Sequence, residues 1–278
     1  MGVIVVTGAG GYLGAHVLAA LRKSGHACVG LARRESDGLE VCDLRDAARL
    51  AHIMERLQPA GVVHCAWETP RTLSQYGDEA AAERGLSMLE NLLAATQAPI
   101  LHVSSMTVYG SDNASTARRE QDAGRPESVY GRAKWAAEQR LAASGRAGFT
   151  VRLPGLFGGG RQSGLIWGIL RALMRGATPE LPPHPLLWAA MDVRDAANAL
   201  ARLCEVPSDA QIPVNIGYED VYSISRLLAL LGELTGHKTA CQVSHPDFAF
   251  DLTRARALGV APGEGLRGAC LRLLEEAA

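Results

Sequence analysis

The first fourteen residues constrain the fold most. Val3-Ile4-Val5-Val6 is an apolar, largely β-branched run that leads directly into Thr7-Gly8-Ala9-Gly10-Gly11-Tyr12-Leu13-Gly14. An apolar, helix-like segment follows and closes near Ser24-Gly25. A strand, a glycine turn and a helix in that order make a phosphate cradle. Gly8 allows the tight turn, Gly11 lets the backbone approach a pyrophosphate, and Gly14 lets the helix pack closely on the strand. The free N–H groups at the helix start then face an anion. The same spacing also occurs in ordinary strand-to-helix turns. Its place at the head of a chain that keeps alternating strand and helix points to a dinucleotide.

After this unit, Cys28-Val29-Gly30-Leu31 reads as strand two and Leu39-Glu40-Val41-Cys42 as strand three. Between Asp46 and Leu57 the apolar residues Leu50, Ile53, Met54 and Leu57 mark one helical face. Gly61 to Ala66 is strand four, and Glu79 to Thr96 is a helix that Pro99 cuts off. Ile100-Leu101-His102-Val103 is strand five, Tyr130 to Ala143 a helix closed by Ser144-Gly145, and Phe149 to Leu153 strand six. Continuous apolar strands between helices mean a parallel sheet covered on both faces, an α/β fold of the doubly wound Rossmann type. Residues 1–153 form the expected NAD(P)-binding domain.

The alternation weakens after Leu153. Pro154 to Gly160 reads as a glycine-rich loop, a helix runs from about Ser163 to Arg175, and Thr178 to Pro185 holds four prolines. Helices follow at Asp195 to Cys204, Ser223 to Leu234, Leu252 to Leu258 and Leu266 to Glu276, with a short strand at Val214-Asn215-Ile216. Residues 154–278 are expected to be mainly a smaller, mostly helical substrate lobe, with segments around 189–217 returning to the sheet.

Composition removes several classes of function. The net charge is −1, so no basic field is available for nucleic acid. No apolar run is long enough to span a membrane, and the first strand does not read as a signal peptide. The six cysteines contain no Cys-x-x-Cys pair and the eight histidines no ligand spacing, which predicts reduced thiols, no metal site and a cytoplasmic protein.

The chemistry is expected further along. Strand five ends in Ser104-Ser105, followed by Met106-Thr107-Val108-Tyr109-Gly110, and Tyr130-Gly131-Arg132-Ala133-Lys134 opens a helix. Positions i and i+4 share a helical face, so Tyr130 and Lys134 can point at one site. A nearby ammonium favours the phenolate and would bring Tyr130 toward neutral pH as a proton donor or acceptor. A serine hydroxyl beside it holds the reacting oxygen. Taken alone, Tyr-x-x-x-Lys is also a common surface pair on an amphipathic helix.

Together these segments resemble the extended short-chain dehydrogenase/reductase family, of the NAD(P)-dependent epimerase/dehydratase type. The resemblance rests on the Thr7–Gly14 turn, Asp43-Leu44-Arg45-Asp46, the Ser104–Gly110 and Tyr130–Lys134 segments and Leu258-Gly259-Val260-Ala261-Pro262. It implies Tyr130 as acid/base, Lys134 on the nicotinamide ribose, and Ser105, with Met106, at the substrate. Gly8, Gly10, Gly11, Tyr12, Leu13 and Gly14 would hold the cofactor, with Asp43 and Leu44 beside the adenine and Ala66 lining the cleft. It also suggests a homodimer through the Glu79–Thr96 and Tyr130–Ala143 helices.

An NAD enzyme places a carboxylate at the end of strand two. Here Ala32 stands there, and Arg33-Arg34 follow, suited to a 2′-phosphate. NADP is therefore the expected cofactor, with NAD possible; the alternative is that both arginines only solvate the loop. The resemblance favours a nucleotide-linked sugar as the small-molecule substrate. Relatives that bind one often carry Asn where this chain has Gly155, and Arg where it has Trp188, so both diphosphate anchors are replaced. Arg161, Arg171, Arg175 or Arg194 are candidate substitutes. Gly155 and Trp188 are the expected substrate contacts in the lobe, with lobe core as the alternative for Trp188, and they leave open a small non-sugar carbonyl or alcohol. A non-catalytic dinucleotide-sensing protein is the remote alternative.

Overall fold

The computed structural model describes residues 2–70, 72–110, 117–261 and 263–277; Pro262, part of the C-terminal motif, lies outside them. In chain order the elements begin with β1 (Ile4–Thr7), α1 (Tyr12–Lys23), β2 (Cys28–Ala32), β3 (Leu39–Val41), α2 (Ala47–Leu57), β4 (Gly61–His64), α3 (Glu79–Ala95) and β5 (Ile100–Ser105). They continue with β6 (Ala117–Arg118), α4 (Val129–Ala143), β7 (Gly148–Leu153), β8 (Gly155–Phe157), α5 (Leu165–Met174), β9 (Ala190–Asp192) and α6 (Val193–Leu203). The last are β10 (Gln211–Asn215), α7 (Ile224–Thr235), β11 (Ala249–Phe250), α8 (Thr253–Ala257) and α9 (Gly265–Ala277).

Seven of the strands form one parallel sheet in the order β10-β7-β5-β4-β1-β2-β3. The chain is a Rossmann-like doubly wound α/β fold. β1 lies between β2 and β4, so the winding reverses there. In such sheets a crevice opens at that reversal, beyond the carboxyl ends of the strands.

Alternation along each strand builds two cores. Val5, Leu31, Val62 and Ile100 pack with Leu50, Ile53, Leu89, Leu92 and Leu141 of α2, α3 and α4. Ile4, Val6, Val63 and Leu101 face the other way, into a larger core shared with Val17 and Leu21 of α1, Leu200 of α6 and the C-terminal elements. Local chemistry starts the helices. The side chains of Asp46, Asp78 and Ser128 accept from the backbone N–H groups of Arg49, Ala81 and Gly131 and so cap α2, α3 and α4. α1 differs: Gly11 precedes it, and no side chain satisfies its first N–H groups.

The strand expected at Val214–Ile216 runs from Gln211 to Asn215 and is the edge of the main sheet, paired with β7. The stretch read as a loop after Leu153 contains β8, which pairs with β9, and β6 pairs with β11. These strands are two or three residues long, too short to show a period of two.

Candidate active site

The glycine turn after β1 is shaped by close approaches. Gly8 has φ +68°, and a Cβ there would lie 2.8 Å from the backbone of Ala66, just beyond β4. At Gly14 a Cβ would sit 2.2 Å from the Gly8 carbonyl oxygen. Thr7 ties the two strand ends together: its hydroxyl shares a hydrogen bond with His64 Nδ1 (2.8 Å) and accepts from the Ala66 N–H (3.3 Å). The Tyr12 hydroxyl donates to the Gly158 carbonyl (2.6 Å) and joins the turn to the loop after β8. Gly10 packs near Ala32, and Leu13 packs against the larger core. A turn of glycines around the single buried methyl of Ala9, and the uncapped start of α1, fit a dinucleotide's diphosphate.

Across the cleft, β5 ends in Ser105 and α4 begins one residue before Tyr130. Ser105 Oγ accepts from the Thr107 N–H (3.2 Å) and hydroxyl (3.0 Å), and its side chain is close enough to the Tyr130 phenol to act on that proton. Lys134, one helical turn on, is 2% exposed and donates from Nζ to the Val103 carbonyl (2.8 Å). Ser105, Tyr130 and Lys134 therefore meet at the carboxyl end of β5. Met106 is buried at the start of the next turn.

The electrostatics depart from the simple expectation. Burial pushes the Tyr130 phenol above its ordinary value; Tyr76 adds to this, and the Ser105 side chain opposes it. Lys134 does not offset the rise, because burial holds the ammonium itself down, to about 7, against the pull of Cys65 and Glu138. In this state Tyr130 is a protonated donor and Lys134 a weakened cation.

Just after β3, Asp43 is held by a bidentate contact from Arg45 (2.6 to 3.1 Å), which lowers its carboxyl to about 2. Leu44 is buried, and its carbonyl accepts from Asn91 Nδ2 (2.9 Å). Arg33 and Arg34 are exposed, and Arg33 lies 3.9 Å from Glu68, which Arg84 also grips (2.5 Å).

In the lobe, Gly155 opens β8 with its amide bonded to the Ala189 carbonyl (3.0 Å). Trp188 is core rather than lining: it is 9% exposed and stands edge-on to Tyr222 (centroids 6.2 Å apart). Three residues the sequence did not single out also belong to the site. Tyr76 stands edge-on to Tyr130 (5.5 Å), Trp67 lies under Lys134, and Glu68 faces Arg33. All three sit between β4 and α3, where no periodic pattern marks a side chain.

The sequence profile of the NAD dependent epimerase/dehydratase family matches residues 4–217. The chain belongs to that family. Among curated relatives, dTDP-6-deoxy-L-talose 4-dehydrogenase (NAD(P)(+)) of Kitasatospora kifunensis is 28% identical over 97% of this chain and 94% of its own length. Methionine adenosyltransferase 2 subunit beta of Bos taurus is 29% identical over 56% of this chain, which spans about half (47%) of that relative. The solved UDP-glucose 4-epimerase of Thermotoga maritima, determined with UDP-glucose, superposes with a TM-score of 0.82. It covers 99% of this chain and 98% of its own at 20% identity, a likeness of fold.

Proposed function

We infer that this protein is an NADP(H)-preferring oxidoreductase or epimerase that acts on a carbinol or ketone carbon, in first place of a nucleotide-linked sugar. The observation that carries this reading is the meeting of Ser105, Tyr130 and Lys134 beside the Gly8–Gly14 cradle. The cofactor, when bound, supplies hydride chemistry at that carbon. Gly8, Gly10, Gly11, Leu13 and Gly14 would hold its diphosphate, Asp43, Leu44 and Ala66 its adenosine side, and Lys134 its nicotinamide ribose.

Ser105 holds the substrate oxygen by a hydrogen bond. Tyr130 gives that oxygen a proton in the reducing direction and removes it in the oxidising direction. Near neutral pH Tyr130 is protonated, the state from which it donates in the reducing direction. Arg33 and Arg34 are the ligands for a 2′-phosphate, with Glu68 as the resident counter-ion of Arg33.

Among the candidate diphosphate anchors, Arg194 is committed to Asp192 (2.6 Å) and Glu276 (2.8 Å), and Arg171 to the Ala277 carbonyl (3.2 Å). Arg161 is favoured: it lies over the Tyr12 ring (5.0 Å), next to the cofactor turn. The second reading, a small non-sugar carbonyl or alcohol, rests on Gly155, which offers no side-chain amide. A homodimer through α3 and α4 is part of the proposal, and light scattering at twice the monomer mass is its check.

Fluorescence titration with NADPH and NADH tests the cofactor, and NADPH-dependent reduction of 4-keto nucleotide sugars against simple ketones tests the substrate. Tight NADPH binding with turnover of the nucleotide sugar supports the reading. Binding of neither nucleotide overturns it.

A further inference from the structure

We propose that Trp67 is a positioning residue for Lys134: its indole face holds the buried ammonium at the end of β5, in a seat that Gly85 of α3 makes possible. The role given to Lys134 itself rests on the function proposed above.

Lys134 Nζ lies 3.8 Å from the centre of the Trp67 ring, well inside the range of a cation–π contact. The ammonium has three protons, and its one described hydrogen bond goes to the Val103 carbonyl. The charged and titratable groups facing it leave the ammonium only partly compensated, although Glu138 and Cys65 pull on it. Glu138 is committed to Arg152 (2.6 Å) and to Ser104. Cys65 is a thiol whose proton burial holds tightly. His64 and His102 are fully buried, stacked on each other (5.3 Å), and kept neutral by burial, with the lysine charge adding to the effect. The Tyr130 ring is farther away, at 5.9 Å, and its phenol is protonated. The Trp67 π face, at 3.8 Å, therefore supplies negative potential in direct contact with the ammonium, beside the Val103 carbonyl.

The indole is fixed from behind. A Cβ at position 85 would lie 2.6 Å from Trp67 Cε2 and Cζ2, so only glycine on α3 leaves room for the ring. His102 meets its other side edge-on at 5.9 Å. One loop residue therefore sets where the ammonium stands relative to Tyr130, and how firmly it keeps its proton.

The chain has three lysines, Lys23, Lys134 and Lys238, which makes the test direct. Protein biosynthetically labelled with [ε-13C]lysine is titrated by NMR, with Lys134 assigned from Lys134→Met. In the unsubstituted protein the Lys134 ε-protons are displaced upfield by the indole ring current. In Trp67→Leu that displacement vanishes and the amine's proton affinity falls about tenfold. Trp67→Phe, which keeps a smaller face, lies between the two. Gly85→Ala presses on the indole and moves the Lys134 signal while residue 67 stays a tryptophan. Lys134 ε-protons at the position of the other two lysines, or no change in Trp67→Leu, overturn the proposal. Should Trp67→Leu fail to fold, Trp67→Phe carries the same judgement. Neither readout needs cofactor or turnover. A ring-current shift in a protein that binds no nucleotide would sink the proposed function and leave the placement of Lys134 standing.

Discussion

Individual side chains divide the chemistry between Tyr130, Lys134 and Arg33. Tyr130→Phe removes the proton donor and keeps the ring that stands against Tyr76. Turnover should fall at least about 100-fold, and NADPH should bind as before, read by stopped assays and fluorescence titration. Arg33→Ala should weaken NADPH by about tenfold and leave NADH nearly unchanged, because only the former carries a 2′-phosphate. Equal losses would remove the case for NADP. Lys134 makes a prediction about stability. Its folded amine releases a proton at about 7, well below an unfolded lysine, so between these values the unfolded chain binds more protons. Stability due to this residue therefore rises with pH above about 7 and is at its lowest below it. Urea unfolding at pH 7 and pH 9 should show the natural protein gaining on Lys134→Met as pH rises.

Helices and strands place those side chains through contacts that local sequence only partly announces. The cradle exists because α1 packs down on the turn after β1, and Gly14→Ala would push a Cβ to within 2.2 Å of the Gly8 carbonyl. We expect a loss of about 1–3 kcal/mol in stability and weakened cofactor binding, measurable by thermal melts with and without NADPH. α4, which carries Tyr130 and Lys134, is anchored to β7 by the buried Arg152–Glu138 pair, with Arg152 also donating to the Tyr109 hydroxyl (3.0 Å) and the Glu120 carbonyl (2.7 Å). Arg152→Met strands a buried carboxylate and should cost about 3–5 kcal/mol, while adding Glu138→Leu should recover much of it. Denaturant unfolding of the single and double variants decides this. The helix face shared by Tyr130 and Lys134 was legible in their spacing, as was the glycine turn. The partner of α4 was not, because Arg152 reads in sequence as one charge inside an apolar strand.

The whole molecule brings residues from distant parts of the chain to one crevice. Strand order sets β1 beside β4 and β4 beside β5, so Gly8 touches Ala66 and the glycine turn shares the carboxyl edge of the sheet with Ser105. Hydrophobic periodicity, glycine placement and helix caps are local properties, and they determined by themselves the alternating α/β order, the cradle and the Tyr130–Lys134 face. The depth of burial is not local. Only the packed structure decided that Trp188 belongs to the core, that the Gln211–Asn215 strand pairs with β7 as the sheet edge, and that the proton affinity of Tyr130 is raised rather than lowered. The same holds for Trp67, Glu68 and Tyr76. They lie between β4 and α3, Tyr76 in a short 3-10 turn, and their neighbours come from α3, α4, β5 and the loop after β2. Desolvation and contact both depend on everything that closes around a side chain, and a linear pattern carries no term for either.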